Sequence, residues 1–255
     1  MTLFRKLRFM AVVLSCTGGL IPKVRMLSNA VIKHQRPYRV RVRVAGNART
    51  MLLSGNSADL WTLYEVFARN TYETGAEDPK TIVDLGANIG ISVMWFRLRY
   101  PDARIVAYEP NPASFAMLRK NFADDPQVEL HEEAVAGVRG TLTFHVDTES
   151  SPSSSLVHKT ERTKDVQVRA VTLDDALAGG ADLLKIDIEG AEFDALASSE
   201  KVREIPIVTG EVHPGMAGKR EEDVERLLAN LSKAHVVVRG KGSDARTFTA
   251  VQRAQ

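Results

Sequence analysis

The stretch from residue 81 to residue 90 combines an apolar run, an acidic residue and two glycines. Thr81–Leu85 predicts a buried strand, and Gly86 and Gly90 flank a tight turn that leads into a helix. In an open parallel sheet, ligands bind beyond the carboxyl ends of the strands, which is where this turn lies. Glu109 follows the next predicted strand, 19 residues after Gly90, and its carboxylate can accept hydrogen bonds from both hydroxyls of a ribose. The spacing therefore predicts a site for a cofactor that contains a nucleoside.

Two classes of cofactor use a glycine turn of this kind. The dinucleotide fingerprint Gly-x-Gly-x-x-Gly fails, because Asn88 and Ile91 occupy the second and third glycine positions counted from Gly86. The S-adenosylmethionine pattern Asp-x-Gly-x-x-x-Gly is filled completely, and its first residue is Asp84. S-adenosylmethionine carries a cationic sulfonium and an amino group, so an acidic site suits it. The sequence therefore favours this cofactor, with a nicotinamide cofactor of an oxidoreductase as the alternative.

A second informative segment, Asp182–Gly190, predicts a strand that carries charges. Lys185, Asp187 and Glu189 alternate with apolar residues and would share one face of a strand over residues 182–188 and just beyond it. Both faces of a central strand are buried, and buried charges are costly unless they are paired. Three ionisable groups in a row therefore predict a functional site. An ion pair between Lys185 and a carboxylate is the structural alternative.

If the methyl group of this cofactor is transferred to a hydroxyl oxygen, a group must remove the hydroxyl proton as the new bond forms. Asp187, at the tip of its predicted strand, and His213, just after the next strand, are the predicted bases, and histidine has the better matched pKa. Glu189 or Glu211 is expected to orient His213 or to hold hydroxyls of the acceptor. Because oxygen ligands cluster here, a divalent metal is an open alternative. The same carboxylates can bind sugar hydroxyls instead, so no metal ligands are predicted.

These residues carry a resemblance to the FkbM family of S-adenosylmethionine-dependent methyltransferases. It covers roughly residues 55–215, and its most specific part is the Lys-Ile-Asp-Ile-Glu-Gly block. The matching pieces, in the family's order, are Val83-Asp-Leu-Gly-Ala-Asn-Ile-Gly90, Tyr108-Glu-Pro-Asn-Pro112, Leu184-Lys-Ile-Asp-Ile-Glu-Gly-Ala-Glu192 and Glu211-Val-His213. The resemblance implies a class I methyltransferase fold, which is Rossmann-like, and methylation of hydroxyl oxygens on sugars, glycolipids or secondary metabolites.

The predicted cofactor site extends along three strand ends. Glu133 and Ala134 follow the third predicted strand, and the same position contacts adenine in related folds. The predicted cofactor-binding residues are Asp84, Gly86, Ala87, Asn88, Gly90, Glu109, Pro110, Asn111, Glu133 and Ala134. A binding module that has lost activity is the non-enzymatic alternative, but a degenerate site usually loses its glycines or its strand-end acid first, and both are present.

The elements that position these residues alternate between strand and helix from residue 81 onward. Such alternation predicts an α/β fold with a doubly wound, mostly parallel sheet, here closed by an antiparallel C-terminal strand. The predicted strands are 39–44, 81–85, 104–108, 128–133, 141–146, 166–171, 182–188, 207–212, 236–239 and 247–251. The predicted helices are 57–69, 91–100, 112–122, 173–177, 191–197 and 219–233. Residues 149–155, rich in serine, predict a flexible loop.

Charge divides the chain of 255 residues unequally. The first 58 residues hold eleven Lys or Arg and no acidic residue, whereas the remainder holds 23 basic and 32 acidic residues. We therefore divide the chain into a basic extension, residues 1–50, and a methyltransferase domain, residues 51–255. A basic segment on an acidic body predicts contact with an anionic surface such as phospholipid headgroups. Nucleic acid is not expected, because the basic segment lacks a recognisable reading module and aromatic platforms.

The N-terminal residues leave two interpretations of location open. An apolar stretch over residues 9–16 follows basic residues, but it is shorter than the roughly 20 residues that a spanning helix needs. It resembles a secretory signal, or an interfacial helix on the inner face of a membrane. S-adenosylmethionine is made and kept inside cells, so a cytoplasmic protein, peripheral at the inner membrane face, is the prediction. Cys16 is the single cysteine, so no intrachain disulfide can form.

Overall fold

The structure is a computed structural model that describes residues 36–147, 154–157, 161, 163–216, 218–240 and 245–253. The strands are β1 (Tyr38–Val44), β2 (Asn47–Leu53), β3 (Thr81–Leu85), β4 (Arg104–Tyr108), β5 (Val128–His131), β6 (Ala134–Ala136), β7 (Gly140–Asp147), β8 (Thr163–Thr172), β9 (Leu183–Ile186), β10 (Ile207–Glu211), β11 (His235–Arg239) and β12 (Thr247–Gln252). The helices are α1 (Ser57–Leu63), α2 (Ile91–Arg99), α3 (Pro112–Phe122), α4 (Leu173–Ala176), α5 (Glu192–Ser198) and α6 (Glu221–Leu231).

A seven-stranded sheet forms the centre of the fold, in the order β11-β12-β10-β9-β3-β4-β5. The strands from β10 to β5 in this order pair in parallel, and β12 pairs antiparallel with both β10 and β11. A smaller sheet has the order β6-β8-β7. The mostly parallel sheet with an antiparallel C-terminal strand is as predicted. The chain order reverses direction between β3 and β9, and such a switch point is where doubly wound sheets bind ligands.

Alternate residues of the central strands enter two different cores. Ile82 of β3 packs with α2, α3 and the β1–β2 hairpin, whereas its neighbour Val83 packs with α4, α5 and α6. Buried Trp95 and Phe96 of α2 are among the largest side chains of the first core, and Leu227 and Leu228 of α6 line the second. Helices therefore cover both faces of the sheet, as the predicted doubly wound architecture requires.

The β1–β2 hairpin is only partly predicted from the sequence. β1 has the strict alternation of a half-buried strand, with Val40 and Val42 buried between exposed arginines, and it was predicted. Its partner Asn47–Leu53 lacks that alternation and was not predicted. Both strands place buried side chains in the same core as α2, so the boundary drawn at residue 50 falls inside β2. The apolar stretch 9–16 and Cys16 lie outside the described residues.

Three local expectations are wrong. The helix predicted over 57–69 is α-helical only to Leu63 and continues as a π-helical turn, Tyr64–Ala68. β5 ends at His131, and Ala134 begins β6 in the smaller sheet, so the single strand predicted over 128–133 is too long. β9 ends at Ile186, which places the next three residues in a turn rather than on one face of a strand. Within the described residues, no helix is long and apolar enough to cross a membrane.

Candidate functional site

A cleft opens at the carboxyl ends of β3, β4 and β9, where the chain order of the sheet reverses. The space between its lining residues, counted together with the open solvent at its mouth, is about 850 Å³. Residues from all three strand ends and from the smaller sheet line it. They include Gly86, Ala87, Asn88, Glu109, Pro110, Glu133, Ala134, Lys185, Asp187 and Glu189. The structure therefore brings most of the predicted cofactor residues together with three of the predicted acceptor residues, whereas Glu211 and His213 are not among the lining residues.

The glycine turn after β3 is fixed by its neighbours in the sheet. The N–H groups of Gly86 and Ala87 both donate to the carbonyl of Tyr108, at the end of β4, over 3.0 Å. Gly86 has a φ of +79°, and a Cβ there would lie 1.9 Å from the carbonyl oxygen of Asp187. The close approach that requires a glycine here is to the backbone after β9. The approach to a ligand that the sequence predicts stays a prediction. The glycine is what allows the turns after β3 and β9 to meet.

Asp84 and Lys185 form a buried ion pair beneath this turn. The Nζ of Lys185 lies 3.1 Å from Oδ1 of Asp84 and donates to the carbonyls of Leu85, at 3.1 Å, and Gly86, at 2.9 Å. Ser92 Oγ donates to the other oxygen of Asp84 at 2.5 Å. Asp84 is fully buried and is not among the residues that line the cleft. The ion pair between Lys185 and a carboxylate, which the sequence left as the structural alternative, is therefore present. Lys185 also bonds to carbonyls at the start of the turn, so the pair helps to hold the turn in place.

Glu109 presents its carboxylate to the cleft at the end of β4. Its oxygens accept the backbone N–H groups of Asn88 and Asn111, each at 2.8 Å. Burial raises the pKa of Glu109 to about 7, although these two hydrogen bonds oppose the rise. Each oxygen keeps a lone pair, so the carboxylate can still accept two ribose hydroxyls. Asn111 also caps α3 by accepting the N–H of Ala113, which ties the position of the carboxylate to a helix start.

The smaller sheet supplies the far wall of the cleft. Glu133, between β5 and β6, and Ala134, the first residue of β6, line the cleft. Glu133 also forms an ion pair with Arg169 over 2.8 Å. Two serines of the serine-rich segment lie within the described residues. Ser154 lines the cleft, and Ser155 Oγ donates to the carbonyl of Glu189 at 2.5 Å. This serine therefore helps to hold the turn that follows β9.

His213 lies beside the cleft, in a ring of acidic side chains. Its Nδ1 lies 2.8 Å from Oε1 of Glu192. Its Nε2 lies 3.8 Å from one carboxylate oxygen of each of three further residues, Asp187, Glu189 and Glu211. Glu192, through its bond to Nδ1, is therefore the residue that orients His213. Of the two roles expected of Glu189 and Glu211, the binding of acceptor hydroxyls stays a prediction.

These charges shift the pKa values of the whole cluster. Burial alone would lower the pKa of His213, but the hydrogen bond to Glu192 and the charge of Asp187 outweigh it and raise the pKa to about 10. Burial raises the pKa of Glu189 to about 8 and that of Glu211 to about 7, against the charge of His213. His213 is therefore cationic at neutral pH in the cofactor-free protein. The well-matched pKa expected from its residue type does not apply.

Two residues of the site were missed in the sequence. Tyr72, in the loop after the π-helical turn, donates its hydroxyl to Oδ2 of Asp187 over 3.2 Å. No motif surrounds it, so nothing local marks it as a site residue. Glu192 is fully buried, and it accepts the N–H groups of Ile188 and Gly190 as well as bonding to His213. It was visible as the last residue of the Ile-Glu-Gly-Ala-Glu motif, where a helix start would have suggested a simple cap.

Comparison with known proteins assigns the fold and the family. Residues 84–237, more than half of the chain, match the model of the Methyltransferase FkbM domain. The crystal structure of Methyltransferase FkbM from Methylobacillus flagellatus KT has a similar fold, with a TM-score of 0.51 and 15% identity. The match covers 97% of this chain and 59% of that chain.

Three curated relatives are similar in sequence. Methyltransferase 1 of Beauveria bassiana (strain ARSEF 2860) is 30% identical over 52% of this chain and 64% of its own. Hexuronic acid methyltransferase AglP of Haloferax volcanii is 26% identical over 60% and 63%. The 31-O-demethyl-FK506 methyltransferase FkbM of Streptomyces tacrolimicus is 28% identical over 62% and 76%. The chain spans less than two thirds of the first two relatives. With its glycine turn, its strand-end Glu109 and this match, the chain belongs to the FkbM methyltransferase family, whose cofactor is S-adenosylmethionine.

Proposed function

We propose that this protein transfers a methyl group from S-adenosylmethionine to a hydroxyl oxygen of a saccharide, a glycolipid or a secondary metabolite. The observation that carries the proposal is that a candidate cofactor site and a candidate acceptor site lie next to each other at one edge of the sheet. A buried carboxylate that can accept ribose hydroxyls, Glu109, faces the same cleft as Asp187, which belongs to an acidic cluster with His213. A donor and a hydroxyl acceptor can therefore be held side by side.

The cofactor half of the cleft fits a nucleoside with a cationic side chain. Glu109 would hold the ribose, the turn from Gly86 to Asn88 would lie along the cofactor, and Glu133 with Ala134 would border the adenine. S-adenosylmethionine supplies an electrophilic methyl group on a positively charged sulfur. Acidic side chains line the cleft, among them Asp187, and a carboxylate favours that charge. A dinucleotide has no comparable support, because its pyrophosphate would meet these carboxylates.

The acceptor half would align the hydroxyl and remove its proton. As the bond from oxygen to the methyl carbon forms, the bond from the carbon to sulfur breaks, and neutral S-adenosylhomocysteine leaves. The hydroxyl proton passes to a carboxylate, for which Asp187 and Glu211 are the candidates. Tyr72 fixes Asp187 through its hydroxyl, and cationic His213 keeps the carboxylates together. His213 thus serves to position the base and is not itself the base in this proposal.

The acceptor class is supported by chemistry and by the names of two relatives. Several carboxylates at one sheet edge suit an acceptor with several hydroxyl donors, as a sugar has. One relative is named for hexuronic acid and another for the 31-O position of a natural product. Acceptors of both kinds present hydroxyl groups to the enzyme. We therefore favour an acceptor that carries a sugar ring or a similarly hydroxylated ring.

The test combines cofactor binding with turnover. Calorimetry of the full chain should show binding of S-adenosylhomocysteine, and Glu109→Ala should abolish it. Transfer of labelled methyl groups to a panel of hexuronic acids, oligosaccharides and glycolipids should be lost in Asp187→Asn, while that variant still binds S-adenosylhomocysteine. Wild-type protein that does not bind S-adenosylhomocysteine would overturn the proposal. Binding with no transfer to any member of the panel would favour the non-catalytic binding module.

We also propose that the basic N-terminal segment contacts an anionic membrane at the cytoplasmic face. Within it, Arg39, Arg41 and Arg43 form an exposed row along one face of β1. Their neighbours across the hairpin are Leu52, Thr50 and Ala48, none of them acidic. A row of cations of this kind attracts acidic headgroups.

Liposome flotation tests this contact. Vesicles that contain phosphatidylserine should carry wild-type protein, and reversing the three β1 arginines to Glu should release it. Reversing Arg119, Lys120 and Lys233, which are also exposed, is the matched control and should retain flotation. Equal flotation of the β1 variant and the wild type would exclude the proposed contact.

A further inference from the structure

The Nε2 atom of His213 points into a ring of carboxylates without a hydrogen-bond partner. His213 is only 5% exposed, and its Nδ1 is already bonded to Glu192. At 3.8 Å, the oxygens of Asp187, Glu189 and Glu211 are all beyond hydrogen-bond distance of Nε2. Among the residues that the structure describes, no donor reaches the carboxylates of Glu189 or Glu211. A ring nitrogen of a buried histidine and several carboxylate oxygens therefore face one another across a gap.

The size of this gap suits a single metal ion. One ligand atom each from Asp187, Glu211 and His213 can be chosen so that all three lie within 4.8 Å of one another. Two ligand atoms that each sit about 2.1 Å from an ion are roughly 3.0 Å apart at a right angle and about 4.2 Å apart across it. The 3.8 Å from Nε2 to each carboxylate falls between these limits. One ion could therefore touch all three with small side-chain movements.

Hydrogen bonds from surrounding residues orient His213 and Asp187, as is usual for the ligands of a metal site. A metal-binding histidine almost always donates its second ring N–H to a carboxylate or a carbonyl, which fixes the tautomer and turns the other nitrogen toward the metal. The bond between Nδ1 of His213 and Glu192 does this. Ligating carboxylates are themselves hydrogen-bonded, and Tyr72 donates to the outer oxygen of Asp187, which leaves Oδ1 facing Nε2.

We propose that Asp187, Glu211 and His213 bind one divalent cation. Two carboxylates and one imidazole favour Mn²⁺ or Mg²⁺ over softer ions, which prefer thiolates or several imidazoles. Glu189 lies near enough to Nε2 to reach the same ion directly or through a water. The remaining positions of the ion would be open to water or to oxygens of a ligand. Because Nε2 can bind the ion only without its proton, the cationic His213 of the ion-free protein would release that proton to solvent as the ion enters.

The ion would also activate and orient the hydroxyl of an acceptor. A hydroxyl oxygen bound to a divalent cation loses its proton more easily and is held in a fixed direction. Two neighbouring hydroxyls of a sugar ring could fill two open positions together. This part of the inference rests on the proposed methyl transfer, whereas binding of the ion does not.

Manganese binding to the full chain is the direct test. After dialysis against a chelator, the protein is titrated with Mn²⁺, and the electron paramagnetic resonance signal of the free ion is measured. We expect one ion per chain, with affinity at least tenfold weaker in Asp187→Asn and in Glu211→Gln. Glu192→Gln, which alters both the partner of the histidine and an acceptor of the turn that carries Asp187, should weaken binding by roughly 10- to 100-fold. Glu225→Gln, which removes an exposed acid that pairs with Arg239, should bind as the wild type does.

The outcomes separate this inference from the proposed function. Circular dichroism first checks that each variant is folded. Loss of Mn²⁺ binding in the ligand variants, with normal binding in Glu225→Gln, supports the site even if no acceptor is methylated. Absence of stoichiometric binding, or equal binding by the wild type and Glu211→Gln, overturns the site. Calorimetry with S-adenosylhomocysteine in the presence of chelator then shows separately whether the cofactor half of the cleft works.

Discussion

His213 and Glu192 are joined by a hydrogen bond of 2.8 Å that links the segments after β10 and β9. Glu192 has no exposed surface, and its other contacts are the N–H groups of Ile188 and Gly190. One buried carboxylate therefore fixes both the histidine and the turn that carries Asp187 and Glu189. The geometry of the acceptor half depends on a residue that does not itself face the cleft.

Replacing Glu192 by Gln should destabilise the protein by about 1–3 kcal/mol, because an amide accepts only through its oxygen and leaves one buried N–H donor unsatisfied. Guanidinium unfolding at pH 7 measures the loss. Glu192→Leu should cost more, since it removes every acceptor. The control Glu225→Gln should change the free energy of unfolding by less than about 0.5 kcal/mol. A Glu192→Gln protein as stable as the wild type would contradict the assigned hydrogen bonds.

Two glycines with nearly equal backbone angles allow the strain at the turn after β3 to be measured. Gly86 and Gly75 have φ values of +79° and +76°, but a Cβ at Gly75 would meet no atom within 4 Å. Gly75→Ala should therefore cost only the roughly 1–2 kcal/mol of the left-handed backbone. Gly86→Ala should cost at least about 1–3 kcal/mol more, since its Cβ would strike the carbonyl of Asp187. Equal losses of unfolding free energy for the two variants would show that the turn after β3 does not closely contact the turn after β9.

Cofactor binding should depend on pH through Glu109. Burial raises the pKa of this carboxyl to about 7, so it is mostly protonated at pH 6 and mostly ionised at pH 8. Ribose hydroxyls donate to the ionised form, so S-adenosylhomocysteine should bind roughly tenfold more weakly at pH 6 than at pH 8. Binding at pH 7 should also release protons, which calorimetry in buffers of different ionisation enthalpy detects. Glu109→Gln should bind weakly with no such pH dependence, and a dependence that persists in it would assign the effect to another group.

The pair of Lys185 and Asp84 should show strong coupling. Lys185→Met leaves the fully buried Asp84 without its cation, which should cost about 3–5 kcal/mol. Adding Asp84→Asn should recover part of that loss, because the buried charge is removed as well. A double-mutant cycle by denaturant unfolding measures the coupling. Strictly additive losses would mean that the two side chains do not interact across the end of β3.

The sequence predicts the framework of the site better than its chemistry. The strand 81–85, the strand 104–108 and the helix 112–122 have the predicted bounds. Gly86 follows the first strand, Pro110 comes two residues after the second, and Asn111 and Pro112 stand at the start of the helix. The spacing of the apolar residues and the positions of the turn residues set these bounds, and both depend only on residues that are close together in the chain. β2 was not predicted, because its residues become a strand only by pairing with β1. Its apolar pattern is too irregular to show that partnership.

Side-chain roles in the site depend on contacts between distant segments. Lys185 meets Asp84 about a hundred positions away in the chain, and Tyr72 meets Asp187 across a similar separation. Residue type alone predicts a near-neutral pKa for His213, but the charges gathered around it by folding raise that pKa. Motifs therefore identify which strand ends carry the site. They do not identify which residue orients, supports or bonds to which.

The insertion of β12 between β10 and β11 has a consequence for how the chain acquires its structure. β10, which carries Glu211 to the acceptor half, has β9 on one side and β12 on the other. During synthesis, residues 247–252 emerge from the ribosome after the other strands that the structure describes, so β10 lacks its β12 neighbour until then. The amino-terminal half of the central sheet can assemble while translation continues. Glu211, which pairs with Thr247, can therefore reach its final place in the sheet only after residue 252 has been translated.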